Sequence, residues 1–409
     1  RDRDAIPVTI LSGSLGAGKT TLLNHLLAGA GDRDIAVLVN DMGDINVDAD
    51  LVSRNTDLAV DGGVTELSNG CICCELQDDL ETAVVRLAQD RQFDHLVVEA
   101  SGISEPRPVA RLFTTGSQAA ARYDVASVVS VVDARQFHDA FGDEGVATRR
   151  GDGDGDDVRP LSDLLVEGVE FANLVVLNKT DLVTPDELDA VEEMVRALRP
   201  DAEVVRTEHS RVDPGVVLER RYDPATADET GWKRALEGDD HDHDADHAHD
   251  HDDHAHPEAV YGVTSFTYRR SRPFHPARLR ALLADLPPAV VRSKGTCWIA
   301  TGADLSYTMG QAGPSVRVEV AGPWIASLPE FEQDAYRRNR SNLEWDEEWG
   351  DRRTELVFIG REMDDDALIA ALDDCLLTDD EMAADWGDFE NAFPTAAGDE
   401  LVVTEPAVN

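Results

Sequence analysis

The stretch Gly13-Ser14-Leu15-Gly16-Ala17-Gly18-Lys19-Thr20 decides the fold of this chain. It follows a short apolar, β-prone run at residues 7–11 and precedes leucines at helical spacing, so it joins a strand to a helix. Its glycines let successive backbone N–H groups turn toward phosphates. The sequence therefore predicts a P-loop in which Lys19 reaches the β- and γ-phosphates and the Thr20 hydroxyl binds Mg²⁺. Thr21, the next residue, is also predicted to bind the nucleotide.

Short apolar runs recur further along the chain, and helical patterns separate several of them. These runs lie at residues 35–40, 96–100, 125–132, 174–178 and 203–206. Strands that alternate with helices favour an α/β fold with a doubly wound, mostly parallel sheet. We predict that this domain, which contains the P-loop, spans residues 5–210.

A second nucleotide motif, Asn178-Lys179-Thr180-Asp181, closes the run at residues 174–177. The Asp181 carboxylate can accept two hydrogen bonds from the N1–H and exocyclic amine of guanine, whereas adenine offers no such pair of donors. Lysine is scarce in this chain, yet two of the four lysines, Lys19 and Lys179, fall within the nucleotide motifs. These positions favour an ammonium point charge over the planar fork of arginine. The motif favours GTP and GDP over adenine nucleotides.

Carboxylates follow two other predicted strands. Glu99 ends the run at 96–100 and is predicted to be a Mg²⁺ ligand with a catalytic role, while Gly102 can approach the γ-phosphate. A strand-terminal Glu that caps a helix is the alternative. Asp41 and Asp44 follow the run at 35–40. Either could hold Mg²⁺, orient the attacking water, complete a transition-metal site or belong to an ordinary turn.

Three of the five cysteines, Cys71, Cys73 and Cys74, lie within four residues of one another. Thiolates bind soft and borderline metals, so this CxCC motif predicts a metal site. Tetrahedral Zn²⁺ there would need a fourth ligand, for which Glu75, Asp41 and Asp44 are the candidates. Cu(I) and Co²⁺ remain open because ligand softness does not choose among them, and a redox dithiol is the alternative reading. The other two cysteines, Cys297 and Cys375, lie in apolar patterns and are predicted to pack in a core.

The remaining sequence divides into segments of different composition. We predict an acidic loop at 142–157, a linker at 211–258 with a His/Asp-rich tract at 239–256, a smaller α/β domain at 259–378 and a loosely attached acidic tail at 379–409. Residues 241–256 hold seven His, six Asp and three Ala, a composition that chelates metal loosely or forms an acidic solvated linker. Within the smaller domain the patterns predict strands at 261–269, 297–301 and 355–359 and helices at 276–286 and 365–377.

The chain is strongly acidic, with 82 Asp and Glu against 37 Lys and Arg and a formal net charge of −45. Such a surface is typical of halophilic proteins and argues against nucleic-acid and anionic-membrane partners, since both need basic patches. No apolar run approaches the ~20 residues of a membrane span, and the N-terminal residues lack a signal-peptide pattern. Cysteine usage favours the reducing cytoplasm.

These motifs together resemble the CobW-type metal-chaperone GTPases, which are relatives of the hydrogenase and urease maturation GTPases. The similar segments cover residues 5–378, and residues 353–382 look most like the zinc-starvation subgroup. The matching positions are 13–20, 40–46, 70–74, 99–106, 178–181, the His-rich linker, 292–298 and 355–360. The resemblance implies a CobW C-terminal domain, slow GTP hydrolysis and Zn²⁺ at the cysteine motif. Many members carry Glu at the positions of Asp41 and Asp44, so the reach of these side chains is one methylene shorter here.

The resulting hypothesis is a cytoplasmic, GTP-dependent metallochaperone that passes Zn²⁺ to a client metalloprotein. A passive zinc buffer and a cobalt-handling assembly factor of the cobalamin or nitrile-hydratase type are the alternatives. The sequence names neither the client nor the oligomeric state, so a homo-oligomer stays open.

Overall fold

The computed structural model describes residues 5–31, 33–39, 65–66, 75–90, 92–100, 106–114, 117–141, 160–219, 221–223, 262–339 and 344–404. The chain divides into two compact units, Arg1–Gly231 and Trp232–Asn409.

The first unit is built on a sheet in which every described strand pair is parallel. Its strands are β1 (Ile6–Gly13), β2 (Ile35–Val39), β3 (Thr65–Glu66), β4 (His95–Glu99), β5 (Tyr123–Asp133), β6 (Leu174–Asn178) and β7 (Glu203–Arg206). Their order across the sheet is β3-β2-β4-β1-β5-β6-β7. Strand β1 therefore lies in the middle of the sheet with later strands on both sides of it, as a doubly wound fold requires.

Helices cover both faces of this sheet. They are α1 (Lys19–Gly29), α2 (Glu75–Asp90), α3 (Pro106–Thr114), α4 (Ala134–Phe141), α5 (Leu161–Phe171), α6 (Pro185–Leu198) and α7 (Pro214–Leu218). Because side chains of a strand alternate between faces, Ile10 of β1 packs in the cluster with α2 and α3, and Leu11 packs in the cluster with α1. The predicted doubly wound parallel sheet is confirmed.

The first unit extends beyond the predicted boundary at residue 210. Helix α7 lies in the segment that composition assigned to the linker, yet Val217 and Leu218 are buried in the same apolar cluster as Leu22 of α1. Gly29 lies so close to Pro214 that an added Cβ would approach its ring to 2.7 Å. Residues 211–219 thus complete the core of the first unit. A five-residue helix is too short for its apolar period to be recognised in sequence.

The second unit contains an antiparallel sheet with the strand order β13-β11-β10-β9-β12-β8. Its strands are β8 (Val263–Arg270), β9 (Val290–Cys297), β10 (Leu305–Ala312), β11 (Ser315–Pro323), β12 (Thr354–Arg361) and β13 (Glu400–Thr404). The helices are α8 (Pro276–Leu283), α9 (Glu330–Asn339), α10 (Asp365–Asp374) and α11 (Asp379–Met382). Leu279 of α8 and Leu368 of α10 join strand residues such as Leu356 and Phe358 in one core. This unit is the predicted smaller α/β domain.

Two predictions for the second unit are wrong in detail. The predicted strand at 297–301 is the end of β9 followed by a 3₁₀ turn at Ala300–Gly302. The segment 379–404 is not a loosely attached tail, since β13 pairs with β11 and Phe393 is 5% exposed in the core. Because the segment is mostly acidic, these few apolar residues gave no recognisable pattern in the sequence. Cys297 and Cys375 are both buried in the same core, as predicted, and burial raises the pKa of Cys297 to about 12 and that of Cys375 to about 11.

No helix within the described ranges has the length and apolar composition that crossing a bilayer requires.

Candidate functional site

The predicted nucleotide residues lie at the carboxyl ends of neighbouring parallel strands. Gly13 ends β1, Glu99 ends β4, and Asp133 and Asn178 end β5 and β6 in register with each other. Leu11 of β1 is the register partner of Glu99, and Gly13 is the partner of Val131. In open α/β sheets, ligands bind at this edge where the strand order changes direction. The fold thus gathers residues from distant parts of the sequence at one edge.

The P-loop requires glycine at two positions for steric reasons. Gly13 has a φ of 143°, and an added Cβ would lie 2.3 Å from the carbonyl oxygen of Val131. Gly18 has a φ of 111°, and its Cβ would lie 2.4 Å from Asn178 Nδ2 and 2.7 Å from Ser210 Oγ. Gly16 has a φ of 76° with open space around it, so only its backbone conformation favours glycine. The loop is therefore packed against both β5 and the guanine motif.

Lys19, Thr20 and Thr21 form the first turn of α1. Lys19 is 8% exposed, and its Nζ donates to the carbonyl oxygens of Gly13 at 2.9 Å and Ser14 at 3.2 Å. The Thr20 side chain is half-buried and Thr21 is exposed. The first-turn N–H groups of α1 have no acceptor within the helix, so they can bind anions. This arrangement suits the phosphates of a nucleotide.

Asn178 connects the guanine motif to the P-loop. Its Nδ2 donates to the Ala17 carbonyl at 2.8 Å and to Ser210 Oγ at 2.8 Å, and its Oδ1 accepts from Ser210 N at 2.8 Å. Ser210 Oγ in turn donates to the Gly18 carbonyl at 3.0 Å. Buried hydrogen bonds thus join the P-loop, the guanine motif and the segment that contains Ser210. They hold the base and phosphate regions in fixed relation.

Ser210 contacts both nucleotide motifs, which the sequence did not indicate. It lies after β7 and is fully buried, and it follows His209 with both residues at a φ of 53°. Non-glycine residues in this left-handed region are strained by about 1–2 kcal/mol each, so the surrounding contacts must impose the conformation. A lone Ser outside any motif gives no signal for such a role.

Lys179 and Asp181 differ in exposure. Lys179 has a φ of 59°, and its Nζ lies 2.6 Å from Asp133 Oδ2. Asp181 lies in a 3₁₀ turn, Thr180–Leu182, and is exposed. The turn is held by Thr180 N, which donates to the Thr207 carbonyl at 3.4 Å. An exposed carboxylate at this position is available to a ligand.

Glu99 and Thr20 supply the oxygen donors that Mg²⁺ prefers. Glu99 is 3% exposed at the end of β4, and the next residue, Ala100, donates its N–H to the Leu11 carbonyl at 2.8 Å. This bond fixes the end of β4 against β1, the strand that leads into the P-loop. The buried carboxylate at the end of β4 and the hydroxyl in the first turn of α1 are both of the ligand type that a magnesium ion takes.

Several predicted residues lie outside the described part of the chain. They are Asp41, Asp44, Cys71, Cys73, Cys74, Gly102, the loop at 142–157 and the His/Asp-rich tract at 239–256. The structure therefore leaves the roles of these residues as predictions. Among the residues that are described, no group of three or more His, Cys, Asp or Glu side chains is arranged to hold a metal ion.

Comparisons with known proteins match both units. Residues 7–206 match the family model described as CobW/HypB/UreG, nucleotide-binding domain. Residues 263–376 match the model described as Cobalamin synthesis protein cobW C-terminal domain.

Individual relatives extend these matches. Zinc-regulated GTPase metalloprotein activator 1 of Dictyostelium discoideum is 35% identical over 406 residues, which cover 93% of this chain and 82% of that protein. Zinc chaperone CobW of Sinorhizobium sp is 36% identical over 197 residues, or 46% of this chain and 55% of the relative. Zinc chaperone YjiA of Escherichia coli is 31% identical over 219 residues, or 52% of this chain and 61% of the relative. The chain belongs to the CobW/HypB/UreG family of nucleotide-binding proteins and carries a CobW C-terminal domain.

Proposed function

We propose that this protein is a GTP-hydrolysing metallochaperone that binds Zn²⁺ at Cys71, Cys73 and Cys74 and transfers it to a client metalloprotein. The observation that carries the proposal is the joining of the P-loop to the guanine motif through Asn178 Nδ2 and the Ala17 carbonyl, 2.8 Å apart. This contact makes one nucleotide site from two motifs that lie 161 residues apart. Membership of the family and a relative named as a zinc-regulated GTPase support the activity.

The described residues divide the work of holding the nucleotide. Asp181 accepts hydrogen bonds from guanine, and Lys19 turns from the Gly13 and Ser14 carbonyls to the β- and γ-phosphates. The exchange of two neutral acceptors for charged phosphate oxygens strengthens the hydrogen bonds of the ammonium group. The backbone N–H groups at residues 13–20 orient the phosphates without a further change of fold.

Thr20 and Glu99 would hold Mg²⁺. When bound, the ion supplies positive charge that neutralises the charge developing on the phosphate oxygens during hydrolysis. Asp41 is the residue we assign to orient the attacking water. Gly102 lies in the segment that would approach the γ-phosphate.

The cysteine motif directly precedes helix α2 in the sequence. Helix α2 begins at Glu75, one residue after Cys74, and Leu80 and Val84 anchor the helix in the core with Ile10 of β1. The positive end of a helix favours thiolates over thiols, and Zn²⁺ binds the thiolate form. Asp44 or Glu75 would complete the tetrahedral set. We place this activity in the reducing cytoplasm, where closely spaced thiols persist.

Transfer under nucleotide control requires that the GTP and GDP states bind Zn²⁺ with different affinities. The test is a Zn²⁺ titration against a competing chelator in Mg²⁺–GTP, using a slowly hydrolysed analogue, and in Mg²⁺–GDP. We expect the two dissociation constants to differ by at least about fivefold, at the lower end of allosteric couplings. Equal constants in the two nucleotides would exclude this coupling.

Two variants assign the metal site in the same titration. Substituting Ser for Cys71, Cys73 and Cys74 together should abolish the tight, nucleotide-dependent site. Cys375→Ser is the matched control. The Cys375 side chain lies in the core of the second unit, and its Sγ donates to the Ala371 carbonyl at 3.2 Å. A triple variant that keeps tight binding would assign the metal elsewhere, for example to the histidines of the 239–256 tract. Capture with the GTP analogue followed by mass spectrometry then identifies the client.

A further inference from the structure

A chain of contacts connects Lys179 of the guanine motif to the P-loop through the end of β5. Lys179 Nζ lies 2.6 Å from Asp133 Oδ2, and the other oxygen, Oδ1, accepts from Gln136 N at 3.1 Å. The Gln136 side chain then accepts a hydrogen bond from the Ser14 hydroxyl through Oε1. Neither Asp133 nor Gln136 belongs to the nucleotide motifs recognised in the sequence.

The fold fixes Asp133 beside Lys179. It is the last residue of β5, pairs in register with Asn178 of β6, and immediately precedes α4. Its side chain is 12% exposed, and the Lys179 side chain is 33% exposed. A short charge-assisted hydrogen bond in partial burial is stronger than an exposed ion pair.

Lys179 needs a partner that fixes its ammonium group, because the four-carbon side chain of lysine is flexible. The left-handed backbone of Lys179, at a φ of 59°, fixes where the side chain starts but not where it ends. The carboxylate of Asp133 fixes its end. An ammonium group held in place before the ligand arrives loses less rotamer entropy on binding.

We infer that Asp133 is a positioning residue for guanine-nucleotide binding, acting through Lys179. It fixes the Lys179 side chain beside the base and ties this side chain, through Gln136, to Ser14 of the P-loop. The inference rests on the proposed function, because it presumes that a guanine nucleotide occupies the site.

The test is a double-mutant cycle on nucleotide affinity, measured with fluorescent GDP and a fluorescent GTP analogue in Mg²⁺. Asp133→Asn keeps an oxygen that accepts from Gln136 N and so preserves the start of α4, but it removes the charge facing Lys179. We expect a loss of about tenfold in affinity, equal for GDP and the GTP analogue, because the γ-phosphate is not involved. The melting temperature of the nucleotide-free protein should fall only slightly, because the amide oxygen still accepts a hydrogen bond from Lys179.

Lys179→Met keeps the length of the side chain and removes its charge. If Asp133 acts through Lys179, Asp133→Asn should cost no further affinity once Lys179 is Met, so the two losses are not additive. Asp139→Asn is the matched control. This aspartate lies on α4, the helix that follows Asp133, and pairs with Arg135 at 2.6 Å on the exposed side, so the variant should bind nucleotide as the wild type does.

Two results would overturn the inference. One is wild-type affinity in Asp133→Asn, and the other is full additivity of the two losses in the double variant. Failure of the proposed function looks different: the wild type itself would bind fluorescent ADP as tightly as GDP, or neither nucleotide.

Discussion

At the scale of single residues, His95 couples the stability of the first unit to pH. Its Nε2 lies 2.8 Å from Thr9 Oγ1 between two buried strands, and burial, aided by Arg33, lowers the pKa of His95 from 6.5 to about 4. Below pH 6.5 His95 binds a proton in the unfolded chain but not in the folded chain. The free energy of unfolding therefore falls as the pH drops from 6.5 to 4. This loss should amount to about 3 kcal/mol in the free energy of unfolding.

The measurement compares the wild type with His95→Gln, which retains a polar side chain opposite Thr9. Since the first unit, Arg1–Gly231, contains no tryptophan, denaturant unfolding is followed by circular dichroism. The two proteins share every other titrating group, so the difference between their curves isolates His95. Parallel curves across this pH range would mean that His95 titrates alike in both states.

The residues of the nucleotide site divide into those that motifs reveal and those that only the fold reveals. Gly18 and Lys19 are recognisable because phosphate binding constrains several adjacent positions at once. Ser210 and Asp133 are single polar residues whose partners, Asn178 and Lys179, lie 32 and 46 residues away in sequence. Spacing within one segment holds no information on such contacts, so the sequence could not predict them.

At the scale of elements, strands and helices with several apolar positions were predictable, whereas short or acidic ones were not. Strands β6 and β7 both have the predicted bounds. Strand β13 was not predicted because the segment that contains it is acidic, and helix α7 was not predicted because five residues are too few to show a helical period. Lys294 and Gly295 lie inside β9. Gly295 allows close approach there, since an added Cβ would lie 2.0 Å from the Glu355 carbonyl oxygen.

The segment that ends in β13 should be needed for the stability of the second unit. Phe393 is 5% exposed and packs edge-on against Tyr307 at 6.2 Å, and the Tyr307 hydroxyl donates to the Pro394 carbonyl at 3.1 Å. Phe393→Ala leaves a cavity and should lower the free energy of unfolding by about 3 kcal/mol. All six tryptophans lie in Trp232–Asn409, so their fluorescence reports the unfolding of this unit alone.

Phe331→Ala is the matched control for this variant. Phe331 belongs to the same unit but is 71% exposed, so its removal should change the stability by less than about 0.5 kcal/mol. Equal and small effects of the two substitutions would show that the segment contributes little to the core.

At the scale of the whole molecule, the sequence predicted the fold class but not the strand order. Alternation of strands and helices is a local pattern, and it correctly indicated a doubly wound sheet. The order β3-β2-β4-β1-β5-β6-β7 and the antiparallel pairing of the second sheet depend on which strands meet across long distances. The right-handed crossover rule limits these arrangements without choosing one. The nucleotide edge follows from the fold class, because carboxyl ends of parallel strands share one edge.

The net charge of −45 should make the stability of the whole chain depend on salt. Like charges crowd together on folding, and salt shortens the screening length from about 10 Å at 0.1 M to about 3 Å at 1 M. We expect the melting temperature to rise by about 5 °C between these KCl concentrations, because screening should raise the free energy of unfolding by about 1–2 kcal/mol. A salt-adapted surface predicts this rise, whereas a surface stabilised by ion pairs would predict a fall.

A variant separates repulsion from the general effect of salt on apolar burial. Asp374→Asn, Glu347→Gln and Glu390→Gln remove three exposed carboxylates, and Asp374 lies at the negative end of α10. Because each substitution relieves repulsion, this variant should melt about 1–2 °C above the wild type at 0.1 M KCl. The difference should vanish above about 1 M, where the wild-type charges are already screened. If the difference persists at high salt, repulsion among surface carboxylates is not the source of the salt dependence.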